Sequence, residues 1–148
     1  GGKIAQVLQT VNTGTETAGS ATYVDITDFA RTFTCEATSS KVLILVDLKG
    51  QGKAGYRWWW QLMRDSTAIY VSDAMAATGG NTFPSGGEGI EQWVAMYIDS
   101  PSSTSEISYN VEWKCQSAET LYLNRTYTNN VTAGGNTASS ITCMEILA

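Results

Sequence analysis

Residues 39–49, SSKVLILVDLK, constrain this chain more than any other stretch. Val42, Ile44, Val46 and Leu48 share one face of an extended strand; Leu43 and Leu45 share the other with Asp47 and Lys49. The β-branched residues on the first face favour strand. A buried helical segment would want more Ala, Glu and Leu around it. Apolar residues on both faces mean that both must be covered. The opposing sheet of a sandwich covers one. The other needs a loop or a neighbouring subunit.

The rest of the chain reads as strands around this one. Residues 3–11 alternate loosely, and 12–21 form a polar loop. Residues 23–26 and 30–35 are two short strands around Thr27 and Asp28, and Gly50 to Gly55 is a turn. Residues 56–64, YRWWWQLMR, put Tyr56, Trp58, Trp60 and Leu62 on one face and Trp59 and Met63 on the other. Asp65-Ser66 then turns a hairpin into 67–71. A helix over 56–64 is the weaker alternative, since three consecutive Trp suit a pleated surface. Residues 72–90 make a long loop of the kind that is usually functional or packed on a neighbour. Strands follow at 91–99, 107–115, 121–126 and 139–147, with a second polar loop at 127–138. In 107–115, Ile107, Tyr109, Val111, Trp113 and Cys115 alternate with Ser108, Asn110, Glu112 and Lys114, so one side of that sheet is wet. The expected fold is all-β, an antiparallel, jelly-roll-like β-sandwich of about nine strands. Val42, Ile44, Val46, Val111 and Trp113 belong to its core.

A length of 148 residues suits one domain over 1–148. The net charge of −5 argues against nucleic acid or an acidic membrane surface as partner. No segment reads as membrane-inserting. The opening Gly-Gly-Lys, without Met, points to a fragment of a longer protein, a processed product or a tagged chain. Only 16% of residues are charged, so Ser, Thr, Asn, Gln and Gly must supply most of the wet surface. Three cysteines, Cys35, Cys115 and Cys143, sit in apparent strands and read as buried thiols, with one disulfide as the alternative. Asn124-Arg-Thr126 and Asn130-Val-Thr132 match glycosylation sequons, a frequent coincidence in a Thr-rich chain.

Nothing selects a reaction. The chain has no His to activate a serine or complete a metal site. No spacing picks a carboxylate pair. Glu88 with Glu91, or Asp25 with Asp28, come nearest to cation ligands, but such loop acids are usually solvated. No catalytic residue, metal or cofactor is expected. The aromatics carry more. Trp58, Trp59 and Trp60 alternate, so one side must meet a loop, a subunit or a ligand. Leu43, Leu45, Trp59, Met63 and Met96 are the candidate interface residues, with Val94 and Ile98 beside them. Phe83, Tyr127, Asn129, Asn130 and Asn136, in the two long loops, are candidate contacts for a neutral glycan. The plainer reading is that the asparagines only shape turns.

Several segments, in this order, resemble a family. They are GKIAQVLQTV, TYVDITDF, TSSKVLILVDL, LMRDSTAI, YIDSPSSTSEISYNVEWK, LYLNRT and SSITCMEI. The chain is similar to the distal β-sandwich domain of tail fibres or related virion appendages of tailed bacteriophages of marine or environmental type. Arg64-Asp65-Ser66-Thr67, Asp99-Ser100-Pro101 and the closing Ser-Ser-Ile-Thr-x-Met-Glu-Ile run are its most specific parts. The resemblance implies a non-enzymatic virion structural protein, a tail fibre or host-attachment domain. It implies a homotrimer that contacts other virion proteins and a host surface glycan or protein, assembled in the host cytoplasm. The Trp triplet and Cys143 depart from the family's more ordinary apolar residues. Two other readings stand beside it: a capsid decoration or lattice protein, and a carbohydrate-binding module.

Overall fold

The computed structural model describes residues 2–53, 56–71, 89–132 and 135–147. Among them are ten strands: β1 (Lys3–Asn12), β2 (Thr17–Gly19), β3 (Val24–Phe33), β4 (Lys41–Gly52), β5 (Trp58–Arg64), β6 (Thr67–Val71), β7 (Glu91–Asp99), β8 (Ile107–Cys115), β9 (Thr120–Leu123) and β10 (Ser139–Leu147). All pairings are antiparallel. Sheet A runs β1-β10-β4-β7, and β9 and β2 extend it beside the far end of β4. Sheet B runs β3-β8-β5-β6. Set the short β2 and β9 aside, and sheet A takes the first, eighth, third and sixth long strands. Sheet B takes the second, seventh, fourth and fifth. Two interlocked Greek keys of this kind are a jelly roll.

The core lies between the sheets. Sheet A contributes Val42, Ile44, Val46 and Leu48 of β4 with Ile141 and Cys143 of β10. Sheet B contributes Phe29, Phe33, Trp58, Trp60, Leu62, Tyr109, Val111 and Trp113. Trp58 packs edge-on against Trp93 of β7, and its ring lies 6.3 Å from that of Trp113. Aromatic edges meeting faces in this way add to what burial alone contributes. All five expected core residues are buried.

Four features differ from the sequence reading. Residues 24–33 form one strand, not two. Its register shifts between Asp25 and Ala30, with Asp28 left-handed at φ 53°, so the break is a bulge within β3. Thr17–Gly19, read as loop, adds a short strand to β9. Gly50 and Gly52, read as turn, extend β4 and pair with β9. A Cβ at Gly50 would sit 2.5 Å from the Tyr122 carbonyl oxygen, so glycine is what lets β9 approach. Cys35 lies just after β3 rather than in a strand, and all three thiols are free and buried. Burial pushes Cys115 up to about 11 and Cys143 up to about 12.

Candidate assembly surface

The outer face of sheet A is where sequence alternation and topology leave apolar residues uncovered. On β4 the odd positions, 41–49, point outward, and those from Leu43 on are half-buried. The register with β7 sets Leu43 beside Ile98, Leu45 beside Met96 and Asp47 beside Val94. On the other side Met144 of β10 lies beside Leu43, and Val7 of β1 beside Met144. One row across four strands therefore reads Ile98, Leu43, Met144, Val7. Val94 and Met96 are each 69% exposed, Ile98 54% and Val7 52%. Ile4 and Val11 extend the patch along β1. A patch of several hundred Å² is about the largest that a typical monomer leaves open, and a patch of that size is often functional.

The rim of this face is charged. Lys41 stands exposed where β4 begins. At the other end Asp47 accepts hydrogen bonds from Lys49 Nζ and, at 2.8 Å, from Gln92 Nε2. Lys49 also reaches the Ala138 carbonyl at 2.9 Å, which turns it toward β10.

Buried polar groups tie the strands of this sheet to their surroundings. Asp99 closes β7 on the inner side and takes both Arg64 Nη1 contacts, at 2.8 and 2.9 Å, plus the Tyr109 hydroxyl at 2.8 Å. It ties sheet A to two strands of sheet B. Burial first, then the bond to Asp99, raises the Tyr109 pKa far above its ordinary value. Glu145 of β10 is fully buried. It accepts from Gln6 Nε2 on β1 and from the Glu36 backbone N–H, each at 2.7 Å. Burial opposes its charge. The donors around it, Gln6 and the N–H groups of Glu36 and Ala37 among them, outweigh that and hold its pKa below the carboxylate norm. At the opposite end Asn124, left-handed and fully buried, donates to the Asn12 and Gly14 carbonyls at 2.9 Å and accepts from Ser139 Oγ at 2.7 Å. This Asn124 hub is what the first sequon encodes, and a buried amide offers no glycosylation site.

Beside that hub is a polar cleft of about 330 Å³, lined by Asn12, Thr13, Thr15, Glu16, Thr27 and Asp28 among others. Glu16 is occupied by the Thr27 backbone N–H. Among the described residues no group of three or more Cys, Asp or Glu could hold a metal ion.

The candidate interface residues separate into two places. Leu43, Leu45 and Met96 meet on the outer face of sheet A. Trp59 and Met63 lie on β5 in sheet B, where Trp59 sits beneath the Lys114 ammonium and Met63 is buried. Of the candidate glycan contacts, Phe83 lies outside the described residues. Tyr127, Asn129, Asn130 and Asn136 are exposed, but none lines the polar cleft. Asn129 is left-handed at φ 52°, and Asn130 Oδ1 accepts from the Thr132 N–H at 3.0 Å, so both shape the turn. The residues missed by sequence are Val7 and Met144. Each strand showed its alternation, but only the register sets them in the row.

No protein-family profile and no curated protein matches the chain. Solved structures do match in fold. The VP2 subviral particle of infectious bursal disease virus aligns over 97% of this chain and 38% of its own, at 13% identity and a TM-score of 0.47. The Gt strain of that virus gives the same coverage and identity with a TM-score of 0.49, and T=1 particles derived from it give 14% identity and 0.48. This chain spans less than two fifths of those chains. A likeness this distant carries no inference about function.

These findings correct the tailed-bacteriophage resemblance. These three structures are of infectious bursal disease virus or of particles derived from it, not of bacteriophage tail fibres. The motifs that carried the resemblance have a local explanation. Asp65 is left-handed at φ 50° in the β5–β6 turn, where its carboxylate accepts the Ser108 N–H. Asp99 is the inter-sheet anchor, and the Ser-Ser-Ile-Thr run is the alternation of β10. Any jelly roll with these hairpins can use such residues. The tail-fibre assignment is withdrawn with the resemblance.

Proposed function

We propose that this chain is a non-enzymatic structural domain of a virus particle, a lattice-forming component that joins copies of itself through the outer face of sheet A. The observation that carries this is the apolar row Ile98, Leu43, Met144, Val7, open across four strands. Jelly rolls serve viral capsids and lectins alike, so the fold alone does not choose between them. The face does. An apolar sheet surface suits protein–protein contact, whereas a sugar site wants an accessible ring flanked by convergent polar groups. Trp59 is a poor platform, because the Lys114 ammonium stands 5.3 Å from its ring centroid. In this reading the domain works in the virion after assembly in the host cytoplasm, with itself and other virion proteins as partners. The homotrimer expected from sequence is one closed form that would cover the face. Electron microscopy of the concentrated protein tests the reading. Sheets, shells or regular oligomers are expected; a field of separate monomers at every concentration contradicts it.

A further inference from the structure

We propose that the outer face of sheet A packs against the same face of a second copy, across a twofold axis that passes between the levels of Leu43 and Leu45. This rests on the self-association reading and gives it a geometry. The outward positions of β4 read Lys41, Leu43, Leu45, Asp47, Lys49: an apolar centre with a cation at one end and, at the other, a carboxylate whose own Lys49 partner is drawn aside toward the Ala138 carbonyl. Such a string is self-complementary when reversed. With the axis in the interface plane and perpendicular to β4, Leu43 of one copy meets Leu45 of the other. Lys41 of each copy meets Asp47 of the other. The flanking strands follow: Ile98 meets Met96, and Met144 meets Thr142. An isologous contact of this kind uses one patch twice.

The other registers fail on charge. Two copies packed with β4 parallel set Lys41 over Lys41 and Asp47 over Asp47. Moving the axis to the level of Leu45 sets Lys41 against Lys49, and moving it to Leu43 buries the Lys41 ammonium on Leu45. Packed sheets cross at about 30°, and Lys41 and Asp47 each lie about 10 Å from the axis, so the ends diverge by only about 5 Å. A lysine side chain spans that. Asp47 keeps room for it: Lys49 and Gln92 take one contact on each oxygen, and a carboxylate offers about four acceptor sites. Lys41 to Asp47 spans about 20 Å and four strands about 19 Å, so the face covers on the order of 400 Å² in projection. That is below the roughly 800 Å² per partner of a standard stable interface. The contact is therefore weak and concentration-dependent; it closes at two copies, taking the place of a trimer on this face, and a lattice needs further contacts elsewhere on the domain.

Charge exchange tests it. Lys41→Asp and Asp47→Lys are made separately in the full chain, folding is checked by circular dichroism, and association is measured by sedimentation equilibrium in low salt. Each variant alone is expected to associate more weakly than wild type by about tenfold or more. Their equimolar mixture is expected to recover wild-type association, because it opposes an ammonium to a carboxylate at both ends. Salt should shrink both effects. If each variant associates as wild type does, or the mixture stays as weak as its components, the twofold register is wrong. The variant pair Met96→Lys/Ile98→Lys separates this from the broader reading. If it dissociates the protein while the charge exchanges do nothing, the face stands and only the register falls. If wild type never associates, both fall.

Discussion

Asn124 and Glu145 are single residues on which whole loops depend. Asn124 takes a left-handed φ of 55° and joins three segments through one amide. Asn124→Ala strands two carbonyls and a hydroxyl in the interior and is expected to cost about 2 kcal/mol or more, read as a lower urea midpoint at unchanged slope. Asn124→Gly eases the backbone but loses the same bonds, so it should recover only a small part. Glu145 links β10 to β1 and to the loop before β4. Its folded pKa lies below the ordinary 4.5, so the unfolded chain takes up this proton first as pH falls. The stabilisation is present above about pH 4.5 and is lost as pH drops through the lower, folded value. Urea midpoints measured from pH 7 to pH 3 should fall more steeply for wild type than for Glu145→Gln, which is the less stable of the two at neutral pH.

At the scale of elements, the sandwich is bolted where Asp99 of β7 meets Arg64 of β5 and Tyr109 of β8. Asp99→Ala removes the acceptor for both and is expected to cost about 3 kcal/mol, within the range for breaking a buried pair. Asp99→Ala with Arg64→Ala should cost clearly less than the sum of the two single variants in a double-mutant cycle. The strands differ in how plainly the sequence announces them. β7 and β8 are legible from end to end, because β8 alternates for nine residues and β7 is an unbroken apolar run, Trp93 to Ile98, bounded by polar residues. β2 is not, because Thr17–Gly19 has too few side chains to alternate and exists only as a backbone neighbour of β9. β3 looks like two strands because the bulge at Asp28 interrupts its period. The candidate surface was half legible for a related reason. Leu43, Leu45 and Met96 show outward apolar positions in their own strands, but pairing is non-local, so nothing along the chain tells that Trp59 and Met63 belong to the other sheet.

Among the described residues the fold is a jelly roll with its core between the two sheets and an open apolar face on sheet A. Its thiols are buried, its polar anchors are internal, and most of the large apolar side chains exposed among the described residues lie on the outside of sheet A. In the proposed assembly, removing that surface from water supplies the driving force, and the chain's modest charge does little to oppose it. The most direct measurement is molar mass against concentration, by sedimentation equilibrium from micromolar upward, for wild type and for Met96→Lys/Ile98→Lys. Wild type is predicted to rise above the 15.9 kDa of one chain as concentration increases, while the variant stays at that mass with an unchanged circular dichroism spectrum. A wild type that holds at one chain throughout, or a folded variant that assembles as wild type does, would contradict the account.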